Sequence, residues 1–492
     1  LEDESARIAV GLAELHVGPG DLVGLVAEKT PRTVAAAYAI LRRGAAYVPL
    51  DPTQPRLRIG ATIERFELEC VVTDAELVEP LREACGGRVD TSRRFVSTND
   101  LAEAPRGPAS DARTTDGALA YVLSTSGSTG VPKGVAISHR NALAFLVPAV
   151  ERFDLGPSDV LASQAPLHFD LSVFDLFGAA LARGGVSLFP AYFSAFPRKM
   201  GDAIEAHGVT VWSSVVSALR LLLERGGLEE RALDTVRLVA FSGERMPFEL
   251  LRQVAARLPW ARLYNVYGQT EANSSTVYEI TARDLARTGN DALPIGDSLA
   301  NFEVFALDDA GHELTRGGDI GELYVRSASV AAGGYLRDPE LSAARFVVDP
   351  RHPESGARAY RTGDRVERGE QGELYLRGRA DGLVKVRGHR VDLGEVEVAL
   401  ESLPGLAEVA ALAVPDEGAG HRLAAFVRPR DGVTVTRHEI AAHLALRLPR
   451  AVLPEHIEVR AELPHTSTGK IDRAALLATL IAPPVREAEA RP

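Results

Sequence analysis

The chain has 492 residues, of which 46% are hydrophobic and 25% charged, with a formal net charge of −12. That length exceeds one ordinary domain, and the acidic balance argues against a nucleic-acid surface, which needs clustered Lys and Arg. Two cysteines, Cys70 and Cys85, exclude a disulfide framework and a cysteine-rich metal site and fit a reducing, cytoplasmic setting. No apolar run approaches the roughly 18 residues of a membrane span, and LEDESARIAV lacks the basic-then-apolar pattern of a signal peptide, so no membrane association is expected.

Residues 21–29, DLVGLVAEK, read as a strand. PRTVAAAYAILRRG follows, with Val34, Ala37, Tyr38 and Leu41 at helical spacing and Gly44 as a stop. Residues 69–74, 118–125, 236–241 and 262–268 are further strand candidates, with helical patterns between several of them. Alternating β and α elements predict parallel sheets covered by helices, and no repeat of 20 to 50 residues is present. Near residue 380 the pattern changes. A helix (LGEVEVALESL), a strand pair (AEVAALAVP and HRLAAFVRP) and another helix (RHEIAAHLALRL) form a smaller α+β unit. The expected organisation is an α/β domain of sheets covered by helices over residues 1–380, a small mobile α+β domain over 381–481, and a polar tail over 482–492.

Two polar Gly/Lys loops stand out, LSTSGSTGVPKG at 123–134 and TSTGKIDR at 466–473. Neither meets the GxxxxGK[ST] spacing of a P-loop. Lys133 is followed by Gly134, and Lys470 by Ile471 with Pro464 five places before Gly469. The physics of an anion cradle still applies to the first loop: glycines let the backbone approach, hydroxyls and amides donate, and Lys133 adds charge. A flexible linker is disfavoured, because Pro132-Lys133-Gly134 runs straight into the apolar VAIS.

LSTSGSTGVPKG resembles the phosphate loop of acyl- and aminoacyl-adenylate-forming enzymes. Nearly the whole chain is similar to the adenylation domains of nonribosomal peptide synthetases, with that family's motifs in order. These are LRRGAAYVPLDPTQP (41–55), HFDLSVFDLFG (168–178), NVYGQTEAN (265–273), YRTGD (360–364), GRADGLVKVRGHRVDLGEVE (378–397) and LPHTSTGK (463–470). Gln269 stands where the family's YGPTE motif has proline, and Leu383 where a glutamine is common. The chain stops without the GGxS-type motif of a fused carrier domain, which suggests a free-standing enzyme.

The resemblance implies ATP-dependent, AMP-forming activation of an amino acid as its aminoacyl-AMP, followed by transfer to the phosphopantetheine thiol of a separate carrier protein. It assigns Lys470 the catalytic role of offsetting charge between carboxylate and phosphate, Glu271 a Mg²⁺, and Asp381 the hinge. Thr125, Ser126, Ser128, Thr129 and Lys133 would hold the departing phosphates. Asp364 and Arg379 would hold the ribose, Asn265 and Tyr267 the adenine, with Thr270 beside them. Asp170 would bind the substrate ammonium, since a buried carboxylate without a cationic partner is costly. Leu171, Phe174, Ser217, Ala240, Ser242, Val266, Ser274 and Ser275 would complete the pocket. None of these carries a second charge, which suggests a small or medium neutral side chain. His168 reads as a packing residue, because a carboxylate nucleophile needs no base at neutral pH.

Ser242 raises a rival substrate class, a β-amino acid for a polyketide starter, in which it would help hold the displaced ammonium. D-alanine loading, acyl- or aryl-CoA ligation and a non-catalytic binding module are further alternatives. The resemblance also admits an MbtH-like activator, and nothing requires more than a monomer.

Overall fold

Strand and helix alternate along the computed structural model as the apolar periodicity predicts. The structure describes residues 1–85, 94–105, 111–125, 132–287, 292–379, 383–387, 389–416, 420–465 and 471–481. They form two compact units.

The first unit contains three sheets. Leu22–Val26 (β1), Ala46–Pro49 (β2), Cys70–Thr73 (β3), Arg94–Ser97 (β4), Leu119–Thr125 (β5) and Lys133–Ser138 (β6) assemble in the order β4-β3-β1-β2-β5-β6. All pairs are parallel except the antiparallel β5–β6 hairpin. The helix Pro31–Arg42 starts as its sequence dictates: Thr30 caps the Thr33 amide and Pro31 takes the first position. It buries Val34, Ala37 and Ile40, and the chain turns off it at Gly44, φ +71°.

The second sheet joins Val160–Ser163 (β7), Gly185–Leu188 (β8), Val211–Val215 (β9), Leu238–Ser242 (β10), Arg262–Gln269 (β11), Asn273–Glu279 (β12) and Asp297–Ser298 (β13), ordered β13-β12-β11-β10-β9-β7-β8. Strands β8, β7, β9, β10 and β11 run parallel, so their C-terminal ends share one edge, the edge where open α/β sheets bind ligands. The predicted strand at 236–241 is displaced toward Ser242. The Val236 amide closes a turn on Leu233, whereas Ser242 pairs with both Val215 and Val266.

Phe302–Leu307 (β14), Ile320–Ser327 (β15), Phe346–Val348 (β16), Arg358–Arg368 (β17) and Leu374–Arg379 (β18) form a third, antiparallel sheet. The sequence reading does not separate it, because its strands carry charges on one face, such as the cross-strand pairs Arg361–Glu322 and Arg377–Glu367. Its apolar residues Ala306, Leu323 and Val366 cluster with Tyr267 and Ile295.

The second unit has the hairpin Leu383–Val386 (β19) and His389–Asp392 (β20), and a sheet of Leu406–Asp416 (β21), Gly420–Pro429 (β22) and His456–Val459 (β23). The predicted strand pair is the antiparallel β21–β22 ladder. Alternation along β21 divides its core. Val409 and Ala411 pack with the helices Leu393–Glu401 and Arg437–Ala445 through Val396, Leu400, Ile440 and Leu444. Ala410 and Leu412 pack with Leu476 of the helix Arg473–Ile481. Among the described residues no helix is long and apolar enough to cross a membrane.

Candidate active site

The hairpin β11–β12 organises the site. Period-two alternation puts Val266 on the face of β11 that shares a core with Ala240, Phe174 and Val277. Tyr267 lies on the opposite face, in the cluster with the third sheet. At Gly268 a Cβ would overlap the Asn273 carbonyl oxygen, so the hairpin closes only over glycine. The turn that follows sends successive residues to different partners. Gln269 reaches Asp364, Thr270 reaches Asp170, and Glu271 reaches Tyr335.

Glu271 is fully buried, 0% exposed, and its Oε1 accepts the Tyr335 hydroxyl at 2.7 Å. Lys133 opens β6, with Nζ 6.0 Å from the Tyr335 ring centroid. Its position is set by the hairpin: Thr125 and Lys133 are register partners across β5–β6 and hold the two ends of the Ser/Gly loop. Tyr335 is brought there because residues 334–336 pair with β6, Val135 bridging Tyr335 and the Leu336 amide donating to the Gly134 carbonyl at 2.7 Å.

Asp364 gathers three donors. The Tyr267 hydroxyl donates to Oδ2 at 2.6 Å, Gln269 Nε2 donates to the same oxygen at 2.5 Å, and Arg379 Nη1 donates to Oδ1 at 2.5 Å. Burial, then the Asp364 charge, pushes the Tyr267 phenol well above its ordinary range, so the hydroxyl remains a donor. Asn265 Nδ2 donates to the Pro294 carbonyl at 2.8 Å.

Asp170 heads the helical segment Leu171–Val173 and accepts the Thr270 hydroxyl at 2.8 Å. Its charge also helps raise the pKa of buried Tyr121, after burial itself. Leu171 is half-buried beside it. Phe174 packs edge-on to Phe153, centroids 5.5 Å apart, and lies 6.4 Å from Phe145. Ala240 and Ser242 share a face of β10, with Ser242 in register with Val266. The Ser217 amide donates to Glu244 at 2.6 Å. Ser275 is the extra residue of a bulge opposite Tyr267 and Gly268, and its hydroxyl donates to the Asn273 carbonyl at 3.2 Å; Ser274 pairs with Gly268. His168 Nε2 lies 3.9 Å from the Asp51 carboxylate. Ser126, Ser128, Thr129, Asp381 and Lys470 lie outside the described residues.

The sequence model of the AMP-binding enzyme family matches residues 1–336, and that of the AMP-binding enzyme C-terminal domain matches residues 395–470. The chain belongs to the AMP-binding enzymes. This AMP-binding enzyme is 35% identical to the L-proline--[L-prolyl-carrier protein] ligase of Pseudomonas fluorescens, across 97% of this chain and 92% of that one. It is 36% identical to the AMB antimetabolite synthetase AmbB of Pseudomonas aeruginosa, across 97% of this chain but only 36% of that one. Among solved structures, the amide bond synthetase McbA of Marinactinospora thermotolerans matches with a TM-score of 0.85 at 27% identity, covering 97% of this chain and 94% of that one. The residues of this AMP-binding enzyme that sequence reasoning passed over are those that hold the others, Tyr335 against Glu271, Gln269 against Asp364 and Glu244 against Ser217. Gln269 had a signal, its departure from the family's proline. Tyr335 had a weaker one, the Gly333-Gly334 pair before it, where a Cβ on Gly333 would press on Ala136.

Proposed function

We propose that the chain converts a neutral amino acid and ATP into an aminoacyl-AMP, then transfers the aminoacyl group to the phosphopantetheine thiol of a separate carrier protein. The observation that carries this reading is the Thr270–Asp170 hydrogen bond of 2.8 Å. It joins a carboxylate suited to a substrate ammonium directly to the turn that bears Glu271. The likeness to a ligase named for prolyl-carrier protein supports the acceptor.

In the first step the substrate carboxylate attacks the α-phosphorus. The bond to the bridging oxygen breaks, and pyrophosphate leaves with that electron pair. Two anions meet, so the enzyme's task is charge and positioning rather than proton transfer. Lys470 offsets charge at the reacting centre. Thr125, Ser126, Ser128, Thr129 and Lys133 hold the leaving phosphates. Asp364 accepts the ribose hydroxyls, and Arg379 donates to Asp364 and orients it. Glu271 fits a Mg²⁺ that arrives with the phosphates: it is one buried hard-oxygen donor, and among the described residues no group of three or more His, Cys, Asp or Glu could cage a metal. When bound, the ion neutralises phosphate charge. In the second step the thiol sulfur attacks the acyl carbon, the acyl–phosphate bond breaks, AMP leaves, and the thiol proton passes to solvent.

A β-amino acid is the second reading, favoured by Ser242. It ends β10 half-buried on the Ala240 and Val266 face, within the same pocket as Asp170 on this reading. Amino-acid-dependent ATP–pyrophosphate exchange tests both. The panel holds L-proline, L- and D-alanine, β-alanine, 2- and 3-aminobutyrate, and the corresponding acids without the amine. Exchange confined to α-isomers supports the first reading, and exchange confined to β-isomers the second. Equal exchange with the amine-free acids contradicts both and returns acyl-CoA ligation to the front.

A further inference from the structure

Lys29 follows β1 and is only 8% exposed. An ammonium at such depth needs partners. Its Nζ donates to the Ser163 carbonyl at 2.5 Å and the Ala165 carbonyl at 2.7 Å, with the Ser163 hydroxyl at 3.4 Å. The nearby carboxylate whose charge acts on it is Asp175, 1% exposed, whose oxygens have no hydrogen-bond partner among the described residues. Burial lowers the Lys29 pKa to about 8 against the pull of Asp175, and burial raises the Asp175 carboxyl against the pull of Lys29.

The positions of these partners along the chain give the pair its meaning. Ser163 and Ala165 precede Asp170, and Asp175 follows Phe174. The ammonium therefore bonds the chain just before the segment that carries Asp170, Leu171 and Phe174, and the buried Asp175 lies just beyond that segment. That segment runs into a π-helical turn, Phe174–Gly178, a geometry that needs support and recurs at functional sites. The hydrogen bonds of Lys29 reach none of the residues assigned to either substrate; Lys29 follows a strand of the first sheet, and Ser163 ends a strand of the second.

We propose that Lys29 is a positioning residue for amino-acid recognition, fixing the chain that leads into Asp170 through the Ser163 and Ala165 carbonyls so that Asp170 meets the substrate amine. This rests on the reading of Asp170 given above. The test compares wild type with Lys29→Met, Lys29→Arg, Asp175→Asn and the double variant Lys29→Met/Asp175→Leu. The readouts are KM for the amino acid, KM for ATP, Tm, and the ratio of kcat/KM for the amino acid to that for its amine-free analogue.

For Lys29→Met we expect the amino-acid KM to rise, and the ratio to fall, by about tenfold or more, since misplacing a positioning group by about 1 Å costs up to ~100-fold. The ATP KM stays within about twofold, and Lys29→Arg, which keeps charge and donors, retains the ratio within about threefold. The double variant regains Tm, because no unpaired charge remains buried, yet keeps the low ratio. An unchanged ratio in Lys29→Met overturns the proposal, as does a double variant in which the ratio recovers together with Tm. If Lys29→Met does not fold, Asp175→Asn carries the test: a ratio lowered by about threefold or more supports the proposal, and an unchanged ratio overturns it. A wild-type enzyme that turns over amine-free acids equally well contradicts the proposed function before any variant is made, so the two failures are distinguishable.

Discussion

Asp364 shows how single side chains set this site. Its Oδ2 serves both Tyr267 and Gln269, and its Oδ1 serves Arg379. All four side chains are largely buried, so the carboxylate is oriented before any ligand arrives. The Tyr267 hydroxyl stays protonated because burial and the neighbouring negative charge both oppose its ionisation. Removing it in Tyr267→Phe takes away one charge-assisted hydrogen bond, a loss of about 1–2 kcal/mol. The expected result is an ATP KM raised about 5- to 30-fold, with the amino-acid KM unchanged, measured by exchange at varied concentrations of each substrate. An equal rise in both values would mean that the variant perturbs the whole hairpin rather than Asp364 alone.

At the scale of elements, the ligand edge of the second sheet depends on its opposite edge. Asp159, just before β7, ties three elements together. It accepts Thr210 at 2.6 Å before β9, Arg237 at 2.8 Å before β10, and the Gly156 amide at 2.9 Å. Burial alone would raise its pKa, but the hydrogen bonds from Arg237, Thr210 and Gly156 together prevail and hold it below the usual carboxylate value. A carboxyl depressed in the folded state stabilises above its unfolded pKa and loses that stabilisation as pH falls through the folded value. Asp159→Asn is therefore expected to lower unfolding free energy by about 1–3 kcal/mol at pH 7, with the gap to wild type closing as pH drops below about 4. Urea midpoints across that range check the sign, and a gap constant with pH would refute it. Much at this scale was legible from sequence, because β1 and β10 are nearly continuous apolar runs, β5 and β11 are rich in apolar and aromatic residues, and the helix Pro31–Arg42 carries its own cap. The antiparallel third sheet was not, since its alternating charges mask the apolar face.

For the whole molecule, the sequence sets the Ser/Gly loop and the Glu271 turn before residue 380 and Lys470 after it. Lys470→Ala is expected to lower exchange by about 10²–10³-fold, while leaving carrier loading from chemically supplied aminoacyl-AMP within a few-fold of wild type. Loss of both reactions would contradict a division of labour between the half-reactions. The motif residues were legible because their chemistry is written in short, ordered stretches. Their supports were not, because they meet only after folding: Lys29 and Ser163 are 134 positions apart, and Tyr335 and Glu271 are 64. No local pattern marks a lysine that will end up buried under a distant strand. The central claim is that this AMP-binding enzyme recognises an amino acid through Asp170. The most direct test is the exchange kcat/KM of wild type and Asp170→Asn with the best amino acid and with its amine-free analogue. Asp170→Asn is expected to lose about 10²-fold with the amino acid and to change little with the analogue. Equal effects on the two substrates, or none, would contradict that claim.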